Sequence, residues 1–118
     1  MSINVEPTQL HTELHGRSDG FVTSVGAAGQ IKVMHCRIDL AKSAVDGVVR
    51  VELGPGGLRN LNERPSATLV FPEVREGFSL LADGEASPAD VPDTGRGWMS
   101  ITINAAVLHK APDNTASC

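Results

Sequence analysis

From residue 20 onward the chain is written largely in alternation. Residues 20–26 (GFVTSVG) alternate apolar and small polar positions, and AAG follows as a turn. Residues 30–40 (QIKVMHCRIDL) alternate throughout. Ile31, Val33, His35, Arg37 and Asp39 share one face, and Lys32, Met34, Cys36, Ile38 and Leu40 share the other. Neither face is purely apolar, which predicts a strand covered on both sides or crossing a barrel rim. Residues 48–53 (VVRVEL) set Val49, Val51 and Leu53 opposite Arg50 and Glu52. Residues 66–71 and 77–86 form the next strand pair, joined by PEVRE, a connection longer than a two-residue hairpin turn. Asp83-Gly84 inside the second of these predicts a bulge or bend. Residues 98–109 alternate again through Met99, Ile101 and Ile103.

Helical spacing is confined to two short stretches. Residues 6–15 place Leu10 and Leu14 on one face, with Pro7 suited to a first turn and Gly16 to a stop. Residues 58–64 form a helix too short to stand alone, which must dock on the sheet and which Pro65 ends. The preceding Gly54-Pro55-Gly56-Gly57 reads as a loop, its glycines able to take positive φ and bring backbone N–H groups close to a ligand. Residues 43–47 form a turn with an Asp-Gly signal, residues 87–97 a loop, and residues 110–118 a flexible polar tail. The expected architecture is mainly β (α+β). It is one domain over residues 1–118, with a helix and lead-in at 1–19, and six antiparallel strands closing into a small barrel or sandwich.

Composition narrows the partners. A chain of 118 residues can bury one core but is near the lower edge of comfortable size, so a dimer would help. Aromatic residues make up 3% of the chain, with no Tyr, and the net charge is −4. A stacking surface for single strands and a basic footprint on duplexes are both excluded, so no nucleic acid is expected. No apolar run approaches the roughly 18–20 residues that span a bilayer, and MSINVEPTQLHTELHG has no basic or apolar leader region. The expectation is a cytoplasmic protein with no membrane partner. Cys36 and Cys118 do not make a disulfide framework.

Two places carry chemistry. In LGPGGLRN a glycine-rich segment leads into a helix, where free N–H groups and the dipole favour an anion, and Arg59 and Asn60 add a charge and hydrogen bonds. It is neither a Walker loop nor a dinucleotide fingerprint, and a plain tight loop is the alternative. In RIDLAK, Arg37 and Lys42 bracket a strand end and could clamp a phosphate, or could pair with Asp39 and Asp46 on the surface. His11 and His15 lack the HExxH pattern, so no metal site is expected. No nucleophile elbow or Ser/His/Asp arrangement is present, and no catalytic residue is nominated.

Taken in order, RIDLAK, RNLNERPSATLVF, GFSLLADGEA and the closing AVLHKAP resemble the pyridoxamine 5′-phosphate oxidase-like superfamily over residues 20–109. The resemblance implies a split β-barrel, with one or two short helices, assembled as a homodimer. It also implies a flavin, FMN, in a groove at the dimer interface, with a deazaflavin as the alternative. It places Arg37 and Lys42 on the cofactor phosphate and sets Arg59 near the family's basic residue at the short helix, while the glycine-rich segment and the helix it leads into add Asn60 and the backbone of Gly54, Gly56 and Gly57 to the phosphate contacts. An oxidoreductase of unassigned substrate follows, since a flavin carries the redox chemistry and mostly needs holding. The chain departs from the pattern where relatives carry Ser-Arg-Lys or Thr-Arg-Lys and this one has Gly54-Pro55-Gly56-Gly57. That departure supports the alternative of a non-catalytic split-barrel dimer with a degenerate groove, a carrier, sensor or binding protein. The C-terminal extension of the vitamin oxidases is missing, so vitamin B6 oxidation is not expected. An unrelated small β-barrel used for protein binding is a third reading.

Overall fold

The six alternating segments form strands, and a seventh precedes them, in the computed structural model, which describes residues 2–40 and 47–111. The strands are β1 (Ser2–Val5), β2 (Asp19–Val25), β3 (Ile31–Asp39), β4 (Val48–Leu53), β5 (Ser66–Arg75), β6 (Phe78–Ala86) and β7 (Gly97–His109). Every pairing is antiparallel. The sheet runs β1-β7-β4-β3-β2-β5-β6, and β6 returns to β7, so six strands close into a barrel and β1 lies outside the ring. Closure leaves few unpaired strand edges.

Strand β7 explains the closure. Its first half pairs with β4 from Gly97 to Thr102, while Ile101 to His109 pair with β6. It turns that corner at a register shift opposite Asp83 and Gly84, where the sequence predicts a bulge. Gly84 is required there, since a Cβ on it would collide with the carbonyl oxygen of Thr102. The inward set is fully buried, with Val22, Leu69, Phe71, Leu80, Ile101 and Leu108 each at 0% exposure. A barrel of this size fills its interior with side chains.

Two α-helices accompany the strands among the described residues. A 3-10 turn (Pro7–Gln9) leads into α1 (Leu10–Glu13), and Gly16 at φ 77 ends the segment as its position predicts. Leu10 and Leu14 are buried at 0%, and the Glu13 carboxylate accepts two bonds from the Arg75 guanidinium at 3.1 and 3.2 Å, tying the segment to the end of β5. Helix α2 (Pro55–Glu63) buries Leu58 and Leu61 and packs against β2, β4 and β7.

The structure differs from the sequence reading in three places. Strand β1 was not expected, because only Val5 of its four residues is buried and so short a run carries no period. The PEVRE segment is not a loop. Strand β5 continues through it to Arg75 across an irregularity with Pro72 and a positive-φ Glu73, and Glu76 (φ 49) with Gly77 (φ 81) makes the turn. The Gly54–Gly57 segment is not a sharp loop either. Pro55, Gly56 and Gly57 are the first turn of α2, Gly54 is its N-cap at φ −72, and none of these glycines has positive φ. Proline at the first helical position set the start earlier than the glycines suggested.

Candidate functional site

With the barrel interior filled, a ligand must bind at a barrel end or on the outer face. Two such places hold residues singled out by sequence, and a third holds none of them.

The first is a cavity of about 420 Å³ between the start of α2 and the β2–β3 hairpin. Gly56, Gly57 and Asn60 line it together, with Lys32 and Arg64. Gly56 and Gly57 hold first-turn N–H groups, which have no acceptor within the helix. Their lack of side chains has two meanings. A Cβ on Gly57 would press on Met34 Sδ at 2.9 Å, whereas a Cβ on Gly56 would meet nothing within 4 Å. Asn60 is already engaged. Its Nδ2 donates to Ser24 Oγ at 2.7 Å, and its Oδ1 accepts from Arg64 Nη2 at 2.6 Å. Arg64 Nε in turn donates to the Val25 carbonyl at 2.8 Å. Ser24 is the one buried polar residue among the described residues, so this chain satisfies it and docks α2 onto β2.

The second is the outer face of β2, β3 and β4. Cross-strand pairs set Asp19, Arg37, Glu52 and Trp98 in one row, and Asp39, Arg50 and Ser100 in the next. Arg37 is exposed there and makes no ion pair with another described residue. Toward the hairpin the same face turns apolar, with Phe21 37%, Ile31 67% and Val33 63% exposed. Thr23 pairs with Val33, Val25 with Ile31, and Phe21 with His35, whose ring meets Phe21 edge-on at 5.4 Å. His35 Nε2 also lies 2.7 Å from Asp19 Oδ2.

The third is a cleft of about 720 Å³ between β4, β7 and the loop of residues 87–96. Sequence reasoning passed over it. Its basic members, Arg50 and Arg96, lie in different segments, and the one feature in the sequence that points toward it is Trp98, the single Trp of the chain.

The predicted site residues are thus divided. Gly56, Gly57 and Asn60 converge on the α2 cavity, while Gly54, the N-cap of the helix, is not among its lining residues. Arg59 is exposed on α2 outside that lining, and Arg37 lies on the outer face of β3. Lys42 falls outside the described residues. Cys36, pointing inward from β3, is buried, and burial with the nearby Asp19 carboxylate pushes its thiol up to about 11. It is a core residue, not a nucleophile.

Comparison with known proteins places the fold. No protein-family model matches the chain, and no curated protein matches it. Solved structures do. The protein related to general stress protein 26 of B. subtilis, of the pyridoxinephosphate oxidase family, from Clostridium acetobutylicum superposes with a TM-score of 0.70 at 10% identity, covering 93% of this chain and 94% of that one. A FAD-binding protein from Mesorhizobium loti superposes with a TM-score of 0.63 at 10% identity, covering 93% and 99%. An F420 reductase does so with a TM-score of 0.62 at 12% identity, covering 81% and 94%. The chain therefore has the split β-barrel fold of the pyridoxamine 5′-phosphate oxidase-like proteins, as the sequence resemblance implies.

Proposed function

We propose that this protein is a split-barrel flavin-type cofactor binder that works as a homodimer. The cofactor would be FMN or a deazaflavin, held on the outer face of the barrel. The observation that carries the reading is the placement of Arg37, an exposed guanidinium with no ion pair to another described residue, beside the apolar Phe21–Val33 surface. A second copy covering that surface would desolvate a flank of the Arg37 site and strengthen its hold on a phosphate. Ile31 and Val33 are each more than 60% exposed, an arrangement that favours burial against a partner. The names of the structural relatives, a FAD-binding protein, an F420 reductase and a pyridoxinephosphate oxidase family member, support the cofactor class.

In this reading Arg37 and Lys42 hold the phosphate, and the N–H groups of Gly56 and Gly57 offer a further anion contact at the start of α2. Arg59 contributes charge from the exposed side of the helix, and Asn60 positions α2 through Ser24. The bound ring would supply hydride chemistry, making the protein an oxidoreductase. One observation favours the second reading, a dimer with a degenerate groove. The helix start that could face a phosphate offers glycines and no basic side chain of its own. Visible absorbance of the purified dimer and its titration with FMN and a deazaflavin separate the two readings. Tight binding of either supports the first, and binding of neither supports the second.

A further inference from the structure

We propose that the cleft between the outer face of β4 and β7 and the loop of residues 87–96 binds a small organic anion, a carboxylate or phosphate ester with an apolar body. The cleft, about 720 Å³, is within the range of about 300–1,000 Å³ usual for small-molecule sites. It shares no residue with the α2 cavity, and the inference does not rest on the cofactor reading.

Charge is the first argument. Arg50 and Arg96 both line the cleft, against one carboxylate, Asp90, in a chain whose net charge is −4. Neither guanidinium makes an ion pair with another described residue. Arg50 instead lies over the Trp98 ring at 5.4 Å, and Arg96 Nη1 donates to the Glu52 carbonyl at 3.5 Å. A guanidinium is a planar fork of N–H donors that matches carboxylate and phosphate oxygens, and it can sit beside an indole while doing so.

Rigidity is the second. Asn62 of α2 grips the loop in both directions, its Nδ2 donating to the Ala89 carbonyl at 2.8 Å and its Oδ1 accepting from the Ala89 N–H at 2.9 Å. The Ser87 N–H donates to the Ser100 carbonyl at 2.9 Å, anchoring the loop entry on β7. Pro88 and Pro92 stiffen the loop, and with Val91 they give the cleft an apolar part of its lining. A wall fixed before binding lowers the ordering cost. Two guanidiniums and apolar side chains lining one cleft favour an anion that also carries hydrocarbon.

Trp98 makes the test direct, because it is the only Trp in a chain without Tyr. The intact protein is titrated with benzoate, phenyl phosphate, benzamide and inorganic phosphate, following Trp98 emission and the single indole N–H resonance. The expected result is a saturable change with benzoate or phenyl phosphate, none with benzamide, and weaker binding of inorganic phosphate. Which anion binds more tightly tells carboxylate from phosphate ester. Arg96→Ala, at an exposed position, weakens binding at least about tenfold, and Arg50→Gln does the same. Equal affinity for benzamide, no response to either organic anion, inorganic phosphate binding as tightly as phenyl phosphate, or unchanged affinity in whichever variant folds overturns the proposal.

Discussion

Asn60 donates its amide to the hydroxyl of Ser24 at 2.7 Å, joining the second turn of α2 to a buried position on β2. The same side chain accepts from Arg64, so it is spent on holding the helix. Asn60→Ala leaves the buried Ser24 hydroxyl and the Arg64 fork each short of a partner. Urea unfolding is expected to show a loss of about 1–3 kcal/mol. Unchanged stability would mean that the network does not dock α2.

Gly84 sits where β6 and β7 lose register, and a side chain there would run into the Thr102 carbonyl. Gly84→Ala is expected to cost about 1–3 kcal/mol through forced backbone displacement. The same urea experiment checks it, and a neutral result would remove the steric account of the bulge.

Cys36 gives a pH dependence with a definite sign. Its folded thiol ionises near 11 against an ordinary 9.0, chiefly because it is buried. A group raised on folding supports the folded state below its unfolded value, and that support is lost as pH rises toward the folded one. Stability should therefore fall between pH 9 and pH 11, with a shallower fall in Cys36→Ala. In a Cys118→Ser protein the remaining thiol should resist Ellman's reagent at about pH 8 until denaturant is added. Rapid reaction of the native protein would contradict the burial of Cys36.

The apolar face of β2 and β3 predicts an assembly. Light scattering should give the mass of a dimer for the wild-type protein and of a monomer for Val33→Asp, which places a charge on a 63% exposed apolar position. Folding should survive, because Val33 points away from the core. A monomeric wild type would remove the dimer from the account.

Most of the barrel was legible because its strands are covered on one face and exposed on the other. Val49, Val51 and Leu53 against Arg50 and Glu52 is a pattern that one register satisfies and a slip of one residue destroys. What escaped reading was structure without that contrast. Strand β1 buries one residue of four, and the end of β5 runs through Pro72 and a positive-φ Glu73 that read as turn chemistry. The GPGG segment was read for the freedom of its glycines, when Pro55 at the first helical position and the burial of Leu58 decided the outcome. At the site, the alternation of β3 grouped Arg37 with Ile31 and Val33 but did not say which face points outward, because both faces mix apolar and polar residues. Nothing in the spacing of residues 50, 62, 89, 96 and 98 marked them as neighbours, because barrel closure brings them together.

Holding of a flavin-type cofactor on the outer face of this barrel through Arg37 is tested most directly by titrating the dimer with FMN and with a deazaflavin, followed by the ligand's own fluorescence or absorbance, for the wild type and Arg37→Ala. Binding of one of them with a Kd below about 100 μM is expected, weakened at least about tenfold in a folded, dimeric Arg37→Ala. A wild-type dimer that binds neither cofactor in that range, or an Arg37→Ala dimer that binds as tightly as the wild type, would contradict it.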